Sequence, residues 1–147
     1  MTVKIRPAKK SDYDKILRLL YQLGRPRPKS KQEKLRFKKQ IAKYLTSSDK
    51  KTLVAEKNHA IIGLISMIFT PRLNRTKQEL YVPELVVAKK HRQSGTGKLL
   101  INSCIEMAKK KNCFRIRLES GNKRKEAHRF YEKNGFEQSA KTYVLNL

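Results

Sequence analysis

The chain opens on a period of two. In "TVKIRPA" apolar Val3 and Ile5 alternate with polar neighbours and predict a strand. The period then lengthens: Tyr13, Ile16, Leu17, Leu20 and Leu23 recur at three- and four-residue spacing, predicting a helix capped by Ser11 and stopped at Gly24. "RPRPKS" reads as a stiff loop. Ser30 and Glu33 have the S-x-x-E spacing of a capping box, opening a second helix with Leu35, Ile41 and Leu45 near one stripe. "TLVAEKNHAIIGLISMIF" predicts a hairpin turning at Asn58 and His59, and "ELYVPELVVA" a further strand. "LLINSCIEMAKK" is a helix with Leu100, Cys104 and Ala108 on one face; "CFRIRLES" is a strand with Phe114, Ile116 and Leu118 on one side. Residues 124–134 are helical, Gly135 ends them and Phe136 packs back; "KTYVLNL" closes as a strand. The order is βααβββαβαβ, a mixed α/β domain over residues 1–147 without repeats.

Composition narrows the class. At 147 residues the chain has the length of one ordinary domain. No apolar run approaches the roughly 18 residues of a membrane span, and "MTVKIRPAKK" lacks a signal-peptide core, so a soluble cytoplasmic protein without a membrane partner is expected. Lys and Arg number 36 against 12 acidic residues, a net charge of +24 that favours anionic partners. These cations spread along the whole chain instead of forming one tail, for which a lysine-rich solvated surface is the commoner explanation. Cys104 and Cys113 form no CxxC and have no histidine cluster nearby; free thiols are expected and no metal.

The stretch "HRQSGTGKLL" concentrates the candidate chemistry. It joins the apolar strand of residues 85–88 to a helix starting near Gly97, where backbone N–H groups without intrahelical partners and the helix dipole favour an anion. A Walker loop is excluded, because Arg92 stands where its first glycine belongs and Leu99 follows Lys98. A dinucleotide loop would need glycine at Leu100. The pattern Q/R-x-x-G-x-G/A is met by Arg92, Gly95 and Gly97, and "ELVVAKKHRQSGTGKLL" resembles the strand-loop-helix signature of the GNAT acetyltransferases, with Lys89 replacing the usual proline. "RIRLESGNKRKEAHRFYEKNGF" resembles a second signature, S-G-x-x-R-x-x-A-H-x-F-Y-x-x-x-G-F, of the small-amine branch, which includes aminoalkylphosphonate and aminoglycoside acetyltransferases.

The resemblance implies a single-domain α/β GNAT fold, a mixed central sheet with splayed strands flanked by about four helices. It implies acetyl-CoA as acetyl donor, held by backbone groups of Leu85, Val86 and Val87 along its arm. Residues Arg92, Gln93, Ser94, Gly95, Thr96, Gly97 and Lys98 would hold its pyrophosphate, with Asn122 and Arg124 contacting CoA or ordering their loop. The reaction would be direct attack of a neutral amine on the thioester in a ternary complex. An alkylammonium of pKa about 10.4 is about one part in a thousand neutral at pH 7, a handicap that a base or a proton-relay water can offset. Glu84 is the leading candidate, a carboxylate sharing strand parity with Val82 and Val86; an ion pair with Lys or Arg is the plain alternative. Glu119 is a second choice. Tyr131 matches the family's general acid, although Ala127, Phe130 and Tyr131 also form an ordinary packing face. His128 lies near the same face and would position substrate, relay protons or stabilise the helix. The acceptor is expected to be a small amine, anionic rather than polycationic given the net charge. The alternatives are protein lysines or N-termini as acceptors, or a basic nucleic-acid- or ribosome-binding protein; the absence of a nucleic-acid motif weighs against the last. Closing strands of this kind support homodimers in similar proteins.

Overall fold

The computed structural model describes residues 2–147. Backbone contacts divide the chain into two compact units, Met1–Arg117 and Leu118–Leu147.

The first unit is built on a sheet. Strands β1 (Lys4–Pro7), β2 (Lys50–Lys57), β3 (Ala60–Thr70), β4 (Glu79–Val82) and β6 (Arg115–Leu118) follow in that spatial order, while β5 (Leu85–Val87) pairs with β3. Pairings β1·β2, β2·β3, β3·β4 and β3·β5 are antiparallel. The β2–β3 hairpin turns where the sequence predicts, with Asn58 and His59 both at positive φ, 51° and 65°, as a right-twisted two-residue turn demands.

Helices α1 (Tyr13–Gln22) and α2 (Lys31–Thr46) cover one face: Ile16 and Leu19 pack with Val54, Leu64 and Val86, and Ile41 joins them. Helix α3 (Thr96–Lys110) covers the other, burying Leu100, Ile101, Cys104 and Ala108. At roughly 1.5–3 kcal/mol per large apolar side chain, Leu100 and Ile101 alone hold the N-terminal part of α3 on the sheet. Gly63 permits this approach: a Cβ there would meet the Val86 carbonyl at 3.1 Å and Leu100 at 3.2 Å.

Two local expectations are corrected. The start of α1 is fixed by Asp12 rather than Ser11, since its carboxylate accepts the Lys9 N–H at 2.8 Å and receives both Arg6 Nη groups at 2.8 and 3.0 Å. On α2, Leu35 is exposed, and the inward stripe is Phe37, Ile41, Tyr44 and Leu45, because residue 35 is out of phase with 41 on a 3.6-residue helix. The predicted ends hold elsewhere. Gly24, at φ 91°, completes a Schellman stop in which Arg25 N–H donates to Leu20 and Gly24 N–H to Tyr21. Ser30 Oγ accepts the Glu33 N–H at 3.1 Å, while Glu33 turns back to the Lys29 N–H at 2.8 Å.

The second unit contains α4 (Lys125–Lys133), stopped by Gly135 at φ 91°, with Phe136 N–H on the Tyr131 carbonyl at 3.0 Å and its ring edge-on to Tyr131. "KTYVLNL" is not a strand among the described residues. Tyr143, Val144, Leu145 and Leu147 are exposed, because an alternating pattern becomes a strand only against a sheet edge that accepts its ladder.

Candidate active site

The run "ELYVPELVVA", expected as one strand, is broken at Pro83. The register passes from Ile68 opposite Tyr81 to Ile65 opposite Leu85, so Ser66 and Met67 face three residues, Val82, Pro83 and Glu84. This is a β-bulge at a residue without an N–H to give the ladder. Its consequence is a change of face. Glu84 lies opposite Ser66, whose N–H donates to the Glu84 carbonyl at 2.9 Å, and so shares the α1/α2 face with Tyr81 and Val86. The parity expected with Val82 is lost, since Val82 points to the α3 side.

Beyond the bulge the sheet opens. β4 continues to β6, whereas β5 pairs with β3 alone among the described strands. Bonds from Ala88 N–H to Ile62 and from Ser66 N–H to Glu84 bracket the ladder, so alternation turns Val86's peptide groups onto β3 and those of Leu85 and Val87 outward. The Val87 carbonyl is taken by Arg92 Nε at 3.0 Å, which ties the following loop to the strand. Arg92 therefore braces the cradle through its side chain.

The cradle itself is a sequence of special backbone conformations. Gln93 has φ 60° and Gly95 φ 86°, and the first i→i−4 bond of α3 runs from Leu99 N–H to the Gly95 carbonyl at 3.1 Å. The amides of Thr96, Gly97 and Lys98 lie ahead of that bond, at the positive end of a 15-residue helix. A Cβ on Gly95 would enter open space, so glycine is required there for its φ. Ser94 Oγ donates to the His91 carbonyl and lies 2.9 Å from Thr96 Oγ1, and Thr96 is buried. These hydroxyls hold the loop's shape, leaving backbone N–H groups as the donors an anion would meet. That donor set fits a pyrophosphate.

Glu84 sits in a small polar network. Ser66 Oγ donates to Glu84 Oε1 at 2.5 Å and accepts the Glu84 N–H at 3.0 Å, clamping the carboxylate. From the loop after α1, Arg25 Nη2 reaches the Pro83 carbonyl at 2.9 Å, freed by the bulge, and Glu84 Oε2 at 3.4 Å. The ion pair weighed as the plain alternative thus exists, but it is long and about half exposed on the arginine side, at 46%. Tyr44 of α2 donates to the Met67 carbonyl at 3.3 Å; burial pushes its phenol up, and the Ser66 hydroxyl partly opposes this. Ser66, Tyr44 and Arg25 belong to no sequence motif. The proline within an otherwise regular strand run was the one available signal.

The second unit carries the remaining candidates. Tyr131 lies on α4 against Phe130 and Phe136, and burial raises its phenol above the ordinary range while Arg124 pulls it back. His128 Nε2 bonds the Gly121 carbonyl at 2.8 Å, which also accepts Arg124 N–H at 3.0 Å, so the ring orders the loop containing Asn122 and Arg124. Those two and Glu119 are exposed. The thiols are unsuited to nucleophilic work: burial pushes Cys104 up to about 12 and raises Cys113 as well. No group of metal-ligating residues occurs among the described residues, and none of their helices is long and apolar enough to cross a membrane.

Fold and site define an α/β protein whose sheet parts beside a clamped glutamate, next to a glycine-containing loop that opens a long helix. The chain belongs to the acetyltransferase (GNAT) family, whose sequence profile matches residues 15–136. It is 31% identical over 88 residues to a glucosamine 6-phosphate N-acetyltransferase of Trypanosoma brucei brucei, covering 59% of this chain and 58% of that one. It is also 31% identical to an N-acetyltransferase of Methanocaldococcus jannaschii, over 93% of this chain and 62% of that one. The chain thus spans about three-fifths of the length of these curated relatives. A crystal structure of a Trypanosoma brucei acetyltransferase superposes with a TM-score of 0.82 at 27% identity, over 99% of this chain and 100% of that one.

Proposed function

We propose that the protein is an N-acetyltransferase of the small-amine branch, carrying acetyl from acetyl-CoA to a primary amine by direct attack in a ternary complex. The observation that carries this reading is the open edge of β5, with Glu84 clamped at one end and the anion cradle at the other. The outward peptide groups of Leu85 and the outward N–H of Val87, whose carbonyl Arg92 already occupies, match an extended amide-bearing arm, as a further strand would. Amides between Gln93 and Lys98 match its pyrophosphate, and exposed Asn122 and Arg124 are offered as further CoA contacts. Acetyl-CoA supplies an acyl carbon activated by a thiol leaving group.

The chain's own work is proton handling. Glu84 accepts a proton from the acceptor ammonium, offsetting a handicap of roughly 4–5 kcal/mol at pH 7. Ser66 holds Oε1 at 2.5 Å, while Oε2, met only by the longer 3.4 Å contact from Arg25, is the exchanging atom. Tyr131, kept protonated by its raised pKa, gives its proton to the departing sulfur, a role supported by the "AHRFY" motif. Each amide formed replaces a C–S bond by a C–N bond, protonates one sulfur and releases one proton to solvent. Poorly ionised thiols at Cys104 and Cys113 support direct attack over an acetyl-cysteine. One relative's name specifies a phosphorylated amino sugar, which agrees with an anionic acceptor for a chain of charge +24.

The test is thiol release from acetyl-CoA against a panel of small amines, with a lysine peptide and an N-terminal peptide beside them. Turnover of one or more small amines is expected. CoA binding with no turnover on any acceptor would refute the activity while leaving the fold intact.

A further inference from the structure

We propose that Arg25 selects the acceptor, binding an oxyanion carried about two or three carbons from the reacting amine. That the acceptor is an amine rests on the acetyl-transfer reading; recognition of its oxyanion rests on Arg25.

Arg25 stands where the chain leaves α1. Its N–H donates to the Leu20 carbonyl at 3.0 Å, closing the stop at Gly24, and Pro26 follows it directly. A residue before proline is held to extended backbone. Bonded on one side and restricted on the other, Arg25 projects its guanidinium from a fixed base, which lowers the cost of ordering it around a ligand.

Only one of its three side-chain nitrogens is engaged. Nη2 reaches the Pro83 carbonyl at 2.9 Å and Glu84 Oε2 at 3.4 Å, while Nε and Nη1 meet no acceptor among the described residues. The side chain is 46% exposed. Bracing the bulge accounts for the short bond to Pro83, yet a lysine would supply that donor as well. What arginine adds is further N–H groups in one plane, and these suit the oxygens of a carboxylate, phosphonate or phosphate.

The contact to Glu84 fixes where such an anion lies. Oε2 is the atom that takes the acceptor's proton, and the amine comes within about 3 Å of it. The amine is then within about 6 Å of Nη2, a span bridged by an oxyanion about two or three carbons away. The same closeness discriminates against other amines. A guanidinium beside Oε2 repels an arriving ammonium unless the acceptor brings an anion to meet it, so simple alkylamines and polyamines are disfavoured.

Calorimetry on CoA-saturated protein and thiol-release rates test this with β-alanine and 2-aminoethylphosphonate, propylamine as the reference without an anion, and 6-aminohexanoate as the amine with a distant one. At least one short anionic amine is expected to exceed propylamine roughly tenfold or more in affinity and in kcat/KM, the scale of one charge-assisted contact. The better of the two identifies the oxyanion as carboxylate or phosphonate. Arg25→Gln should collapse that ratio, and Arg25→Lys, which keeps the charge and a donor for Pro83, should lower it in part. A purely structural arginine would lower all acceptors together and leave the ratio alone. A parent ratio within about twofold for both short amines, or a ratio that survives in whichever variant still binds CoA, overturns the role of Arg25; equal preference for 6-aminohexanoate overturns the spacing. Preference in binding without acetylation of any acceptor refutes only the acetyl-transfer reading, and acetylation without preference only this one.

Discussion

Glu84 and Ser66 act as one unit in this structure, because the hydroxyl both donates to the carboxylate and accepts the backbone N–H of the same residue. Glu84→Gln should lower kcat about 10²- to 10⁴-fold, as expected for loss of a general base. Ser66→Ala should lower it less. Adding it to Glu84→Gln should cost nothing further, since a positioning residue has nothing left to position. Additive losses in thiol-release assays would show that Ser66 acts independently. Tyr131→Phe should reduce kcat and remove any alkaline limb of the pH–rate profile. That limb belongs above pH 10.0, the ordinary value from which burial raises this phenol. Thiol reactivity offers an independent check: Cys104, at about 12, should resist alkylation at pH 8 until the protein is unfolded.

Two elements carry the site, and each depends on one glycine. Gly95→Ala places a Cβ in the left-handed region at φ 86°, costing about 1–2 kcal/mol, and should weaken CoA binding through a deformed cradle. Gly63→Ala brings a Cβ to 3.1 Å from the Val86 carbonyl and 3.2 Å from Leu100, pressing α3 away from β5. Overpacking of this kind costs about 1–3 kcal/mol. Urea midpoints and CoA titrations separate the two: affinity should fall more than stability at Gly95, and stability should fall first at Gly63. The glycine at 95 was legible from its spacing to Arg92 and Gly97, because helix entry and anion approach are local demands. The role of Gly63 was not, because the helix it accommodates arrives more than thirty residues later.

Charge is the dominant whole-chain property, and acid stability follows from how the few carboxylates are used. Asp12 is held below its ordinary value chiefly by Arg6; burial pushes Glu79 up, but Arg117 and Arg115 more than reverse it. For groups with depressed folded pKa values, stability is complete above the unfolded values, near 3.8 and 4.5, and is lost as pH falls through the folded ones. Urea midpoints should therefore be level from pH 7 to about pH 5 and drop below pH 4, and Glu79→Gln should flatten that drop. Arg6→Ala, which strands the buried Asp12, should cost about 3 kcal/mol at pH 7.

The order of helices and strands, apart from the split at Pro83 and the expected closing strand, the Asn58–His59 turn, the Gly24 and Gly135 stops and the glycine loop at the start of α3 were readable from the chain. Each is decided by residues within a few positions of one another, through periodicity, φ and helix-end hydrogen bonding. Tertiary structure decided the rest. The bulge at Pro83 appears only once β3 supplies a register, and with it Glu84 changes face and acquires Ser66 and Arg25. Glu79 reads as an ordinary strand residue until β6 brings Arg115 and Arg117 beside it, and "KTYVLNL" has strand letters but no edge to join among the described residues. Local rules choose a residue's backbone; which carboxylate becomes a base or an anchor depends on partners that only the sheet brings together.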